Sequence, residues 1–222
     1  MSPGGLLTCT WRRTDPAQAN LALDKDNPML CKPVALVLAA GRSQRFGGDK
    51  RQQRLSNGLT LLQSSLLLPC AVFEEVWLAL REDDPVPLDL PSKVRIVQCA
   101  SSRLGLGHSI AASVQRISAV SEGQALAVFL ADMPFIHAST LDTLLASAAP
   151  DRICRPAYQG KTGHPVIFGR DFWAELSQLA GDSGARSVVQ ANSHAVHTLT
   201  VDDPGVLIDI DRPSDVPPAQ SV

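Results

Sequence analysis

Apolar and polar positions along the chain change period in a way that predicts an ordered series of strands and helices. Val34 to Ala40 is a continuous apolar run, the pattern of a strand buried on both faces of a parallel sheet. Leu59 to Leu68 carries a helical pattern that Pro69 is expected to stop. Glu75–Leu80 and Val94–Gln98 read as strands, Ser109–Ala119 as a helix, and Ala125–Ala131 as another wholly apolar run. Ser139 is expected to cap a helix through Ala148, with Asp142 as its acidic partner. Beyond Pro150, Arg152–Ala157 and His164–Phe168 flank a turn-rich Tyr158–Gly163, the pattern of a hairpin. Short helices are expected over Asp171–Leu179 and to about Ala191, then strands at Val196–Val201 and Val206–Ile210.

Strands alternating with helices predict an α/β fold: a single three-layer domain with a mostly parallel, Rossmann-like sheet and right-handed crossovers. The domain is expected to span residues 31–216, and no internal repeat is evident. Residues 1–30 are rich in Pro, Gly, Asp and Thr without periodicity and read as a disordered tail, as do the last residues from Pro217. No continuous apolar stretch follows Arg12 and Arg13, so a secretory signal is not expected; Met29, just before the first strand, is compatible with an upstream start codon for this tail. In sheets of this kind ligands bind beyond the carboxyl ends of the strands. The segment after Ala40 and the aspartate after Ala131 both fall at such ends, on one rim.

Composition narrows the function. A net charge of −2 argues against a general nucleic-acid binder, and no apolar run reaches the length of a membrane span. The five cysteines are scattered without a Cys-x-x-Cys pair, which favours reduced thiols in the cytoplasm over disulfides or a zinc site.

The segment leaving the first strand carries the strongest chemical signal. Gly41-Arg42-Ser43-Gln44-Arg45-Phe46-Gly47-Gly48-Asp49-Lys50 combines glycines, which let backbone N–H groups approach a phosphate, with three cationic side chains. Arg42, Arg45 and Lys50 can donate charge-assisted hydrogen bonds to phosphate oxygens. The spacing matches neither the P-loop nor the dinucleotide fingerprint. An ordinary glycine-rich strand-to-helix connection is the alternative.

Four further places carry candidate chemistry. Asp132 at a strand's carboxyl end is placed either to hold Mg²⁺ or to cap a turn with Pro134. Asp209 and Asp211 project to one side of an extended chain, where two like charges call for a cation or an arginine; solvated strand-end carboxylates are the alternative. Gly105-Leu106-Gly107-His108-Ser109 opens a helix whose free N–H groups can meet an anion or a base edge. His164 is a structural hydrogen-bonder or a site residue, and Gly181 to Arg186 reads as a helix start capped by Asp182 or Ser183, with Arg186 able to reach a phosphate.

Taken together, these motifs resemble a nucleotidyltransferase family, and within it the molybdenum cofactor cytidylyltransferases and molybdopterin-guanine dinucleotide synthases. Leu38-Ala39-Ala40-Gly41-x-Ser43-x-Arg45-Phe46-Gly47-x-x-Lys50 is similar to the family's first motif, with Phe46 where Met is usual. Leu130-Ala131-Asp132-Met133-Pro134, Gly163-His164-Pro165-Val166 and Gly181-Asp182-x-Gly184-Ala185-Arg186 match others, and Asp209-Ile210-Asp211-Arg212-Pro213 matches with Arg212 where Thr is usual. The resemblance implies a fold of the nucleotide-diphospho-sugar transferase type, with a nucleotide half over about 33–150 and an acceptor half over about 151–216. It implies transfer of CMP from CTP to the phosphate of molybdopterin or Mo-molybdopterin with Mg²⁺, and a molybdoenzyme as partner. By the same resemblance Arg45, Lys50 and Asp132 are catalytic, and Asp132 and Asp209 hold the metal. Leu38 to Ser43, Gly47, Gly105, Gly107 and Ser109 bind the nucleotide, and His164, Asp182 and Arg186 the acceptor. Ala40, where guanylyl-transferring members usually have Gly, favours CTP over GTP. The polar run Arg51-Gln52-Gln53-Arg54 departs from the family's apolar continuation, so another acceptor stays open. So does a catalytically silent nucleotide-binding module that delivers cofactor.

Overall fold

The computed structural model describes residues 32–41, 46–87 and 89–216. The tails expected at 1–30 and 217–222 lie outside them. Strand β1, Pro33–Leu38, is buried along almost its whole length. It pairs in parallel with β2, Glu75–Arg81, on one side and β4, Ala125–Leu130, on the other. β3, Val94–Cys99, continues the parallel sheet beyond β2. On the other flank β7, Val166–Gly169, runs antiparallel to β4 and to β5, Ile153–Tyr158. β6, Lys161–Thr162, and β8, Val196–Thr200, both pair with β5, β8 in parallel. The sheet order is β3-β2-β1-β4-β7-β5-β6, with β8 beside β5.

Successive β1 side chains feed two different cores, as the two-residue period of a strand requires. Val34, Leu36 and Leu38 pack with Ile110, Val114 and Ile117 of α2 (Leu106–Ser118), Trp173 and Leu176 of α4 (Trp173–Leu176) and Val188 of α5 (Arg186–Ala191). Ala35, Val37 and Ala39 pack with Leu62 and Leu66 of α1 (Leu61–Val72) and Leu141 and Leu144 of α3 (Ala138–Ser147). The result is the expected single α/β domain of three layers.

Several element boundaries differ from the sequence reading. Helix α1 passes through Pro69 and ends three residues later, where the Phe73 N–H donates to the Pro69 carbonyl. A proline in the last turn removes one helical donor without ending the helix. Helix α2 begins at Leu106, because Gly105, at φ +122°, turns the chain directly into it. Ser139 is not the cap of α3. His137 occupies the cap position without a side-chain cap, and buried Asp203 accepts from its N–H (2.8 Å) and from the Thr140 hydroxyl (2.7 Å), tying the helix start to a distant loop. Residues 206–210 form no strand; a 3-10 turn at Pro204–Leu207 leads into irregular backbone. The hairpin is real but tighter, with Gln159 and Gly160 both at positive φ between β5 and β6.

This topology collects the candidate residues. Chain order reverses at β1, which lies between β2 and β4, so the crevice opens beyond the carboxyl ends of β1 and β4. β7 starts at that end of β4, since Val166 pairs with Val128. β8 runs the same way as β5 and delivers the chain to residues 201–211 on the same rim.

Candidate active site

Leu38 and Leu130 are registered partners, and the Ala131 N–H donates to the Leu38 carbonyl (3.1 Å), so Ala40 and Asp132 leave the sheet side by side. The second acidic segment is tied to the same point by the Ile210 N–H, which donates to the Asp132 carbonyl (2.9 Å). Ile210 is fully buried against Leu55 and Leu61, with Phe46 packed beside them. Its inward anchoring turns Asp209 and Asp211 outward, as the alternation in sequence anticipates, although no strand forms. Carboxylate oxygens of Asp132, Asp209 and Asp211 all lie within 4.8 Å of one another.

Lys50 reaches into this cluster. Its Nζ donates to Asp132 Oδ2 (2.8 Å), Asp211 Oδ1 (2.9 Å) and the Ile210 carbonyl (3.0 Å). Burial works against the ammonium charge, but the hydrogen bonds from Lys50 to both carboxylates outweigh it and raise the pKa above the ordinary lysine value. The other oxygen of Asp132, Oδ1, is buried and has no hydrogen-bond partner among the described residues. An orphaned carboxylate oxygen beside two further carboxylates is a donor set for a hard divalent cation, so the residues fit Mg²⁺ or Mn²⁺.

Asp132 and Asp209, which the motif resemblance pairs, lie together here, and Asp211 belongs to the same group. His164 joins them from the other flank. Its backbone N–H donates to the Val206 carbonyl (3.0 Å), and a side chain at Gly163 would collide with that carbonyl. Burial lowers the His164 pKa, partly offset by the nearby Asp132 charge, and Nδ1 has no partner among the described residues.

The two glycine motifs interlock. The Gly107 N–H donates to the Gly181 carbonyl (2.8 Å), and a Cβ at Gly105 would collide with Asp182 Oδ1 and the Gly181 carbonyl. These glycines bring the start of α2 against the loop that carries Asp182, and Gly107 spends its donor on protein. Ser109 is buried within α2, whereas Asp182 and Arg186 are exposed. Leu38, Ala39 and Ala40 are buried, Gly41 is exposed, and Gly47 has φ +76°. Arg42, Ser43 and Arg45 lie outside the described residues.

Sequence reasoning missed Arg51. The run Arg51–Arg54 is not a uniform polar coat: Gln52 and Arg54 are exposed, but Arg51 is buried and paired with buried Asp84 (Nη2 to Oδ1, 2.8 Å). Asp84 follows Glu82 and Asp83, a pattern that looks like a solvated turn, so no local signal marks the pair.

The MobA-like NTP transferase domain family matches residues 35–197 of the chain. Among solved structures, Rv0371c of Mycobacterium tuberculosis H37Rv is 27% identical with a TM-score of 0.70, covering 86% of this chain and 100% of that one. A structure of Rv0371c in complex with manganese is 27% identical with a TM-score of 0.64, covering 83% and 95%. A nucleotidyl transferase from Methanothermobacter thermautotroptrophicus shares the fold at 19% identity, with a TM-score of 0.68 over 83% of this chain and 94% of that one. Among curated proteins no sequence matches.

Proposed function

The chain belongs to the MobA-like NTP transferase domain family, and on that premise we propose that it moves CMP from CTP to the terminal phosphate of molybdopterin or Mo-molybdopterin. As a family member it is a nucleotidyltransferase with a nucleoside triphosphate as donor. The observation that carries the catalytic reading is the convergence of Lys50, Asp132, Asp209 and Asp211, with the orphaned Oδ1 of Asp132, where β1 and β4 end.

In this reading an acceptor phosphate oxygen attacks the α-phosphorus of CTP. The new P–O bond forms as the bond to the β-phosphate bridging oxygen breaks, and pyrophosphate leaves with that electron pair. The attacking group is already an anion, so no strong general base is required; the protein positions the reactants and neutralises charge. Asp132 and Asp209, with Asp211 beside them, would hold Mg²⁺, and the manganese complex of the relative Rv0371c is in keeping with a divalent cation. Bound there, the cation would offset charge on the triphosphate. Lys50, with Arg42 and Arg45, would bind the β- and γ-phosphates and the leaving pyrophosphate. His164, Asp182 and Arg186 would face the acceptor, in the half over about 151–216. Ala40 supports cytidine: its buried methyl narrows the position where guanylyl-transferring members have Gly, worth about 1–3 kcal/mol of discrimination. A molybdoenzyme receiving the product in the cytoplasm completes the reading.

The test is pyrophosphate release by purified protein with Mg²⁺ and Mo-molybdopterin, comparing CTP, GTP, ATP and UTP. Turnover with CTP alone is expected. Turnover with GTP instead overturns the base assignment, and silence with all four from folded protein overturns the acceptor.

A further inference from the structure

Arg51 is 6% exposed, an unusual place for a guanidinium beside an apolar sheet. All five of its side-chain N–H donors are used: Nε to Asp49 Oδ1, Nη1 to the Ala39 carbonyl and Asp84 Oδ2, Nη2 to Asp49 Oδ2 and Asp84 Oδ1. Asp84 is held in turn by Arg81, whose Nη2 (2.7 Å) and Nε (2.9 Å) both donate to Oδ1. The anchor is thus the carboxyl end of β2.

Ala39 and Asp49 flank the segment 40–48, and Arg51 bonds to both, at 3.0 Å to the Ala39 carbonyl and 2.7 Å to Asp49 Oδ2. The adjacent residue, Lys50, starts from the same 3-10 turn, Lys50–Gln52, and sends its side chain to Asp132 and Asp211. Immobilising Arg51 therefore fixes both the neck of the segment and the backbone from which Lys50 reaches the carboxylates. A buried ion pair is rarely needed for stability alone, since an apolar residue of similar volume serves as well. A planar fork that joins three separate chain segments has geometric value that a lysine or an apolar side chain lacks.

We propose that Arg51 is a positioning residue that ties Ala39 to Asp49 and fixes the turn from which Lys50 reaches the donor triphosphate, without touching the nucleotide itself. This rests on the reading of Lys50 as a ligand of the donor triphosphate. No local sequence signal marks it, because its partner Asp84 lies 33 residues away.

The experiment compares Arg51→Lys and Arg51→Met with the native protein in two ways. The first is hydrogen exchange of nucleotide-free protein at the Arg51, Gln52 and Gln53 amides, which bond to Asp49 Oδ1 (3.1 Å), the Asp49 carbonyl (3.1 Å) and the Lys50 carbonyl (3.0 Å). The second is steady-state kinetics with CTP and Mo-molybdopterin. Arg51→Lys, which keeps the charge, is expected to lose protection at these amides while β1 and β4 stay protected. Its KM for CTP should rise roughly ten- to a hundredfold with the acceptor KM unchanged, the scale of a misplaced contact. Unchanged neck exchange and unchanged CTP KM in a variant with a lowered Tm would show that Arg51 only supports the fold, and would overturn the proposal. If the native protein itself neither binds nor uses CTP, the reading of Lys50 fails, and the exchange measurement still decides whether Arg51 holds the turn. Should Arg51→Met fail to fold, Arg51→Lys carries both measurements.

Discussion

Lys50 Nζ sits 2.8 Å from Asp132 Oδ2, so the cation of the phosphate-loop segment and the carboxylate at the end of β4 form one charged centre. The two residues lie 82 positions apart and meet because their strands are neighbours in parallel register. Lys50 also bonds Asp211 at 2.9 Å, so a single ammonium offsets two carboxylates within the cluster.

Lys50→Met is expected to act in opposite directions on two measurements. Turnover should fall about a hundredfold or more, as for loss of a donor to developing charge. Mn²⁺ binding without nucleotide, followed by electron paramagnetic resonance, should tighten by about tenfold or more, because a unit charge a few ångströms from the carboxylates has been removed. Mn²⁺ affinity that stays level or falls contradicts this account of Lys50 as the carboxylates' counter-ion.

The Arg51–Asp84 pair predicts a specific acid dependence. Burial alone would raise the Asp84 pKa, but hydrogen bonds from Arg51 and Arg81 outweigh it and hold the carboxyl well below the usual range. Asp49 is lowered as well, first by its hydrogen bond from Arg51. Carboxylates depressed on folding contribute stability that is complete above their unfolded value near 3.8 and is lost as pH falls toward the folded value. Urea midpoints should therefore hold from pH 7 to about pH 5 and fall below about pH 4. Asp84→Asn should cost on the order of 3 kcal/mol at pH 7 and flatten that acid fall. Parallel acid slopes for the two proteins would contradict the assignment.

Gly105→Ala tests the interlock between the two glycine motifs. The added methyl meets Asp182 Oδ1 and the Gly181 carbonyl, and alanine must also adopt φ +122°. A loss of about 1–3 kcal/mol in unfolding free energy is expected from the backbone strain alone. Gly41→Ala, where a Cβ would meet nothing within 4 Å among the described residues, should cost far less. Equal losses in thermal unfolding would show that the start of α2 does not depend on this contact.

The parts of the molecule legible in sequence are those where a single element carries the signal. β1 and β4 are apolar on both faces, so their runs announce central strands, and the rim shared by the segment after Ala40 and by Asp132 follows from strand order, whereas only the motif resemblance pointed to Asp209 beside Asp132. What stayed hidden is carried by contacts between distant segments. Asp203 ties the start of α3 from 66 residues away, and no local signal marks His137 rather than Ser139 as the cap position. Val206 and Ile210 are buried as a strand's residues would be, but Gly205 presses against the Phe135 carbonyl and Ile210 bonds to Asp132, which leaves no ladder. Gly107 looked like a ligand donor, and its N–H is taken by Gly181.

If the Lys50–Asp132 centre carries nucleotidyl transfer, Asp132→Asn should remove most of it. The fold should persist, because the Asp132 carbonyl still accepts the Ile210 N–H while only the carboxylate charge is lost. Steady-state pyrophosphate release with Mg²⁺, CTP and Mo-molybdopterin is predicted to fall about a hundredfold or more. Turnover close to that of the native protein, from an equally folded variant, would contradict the account.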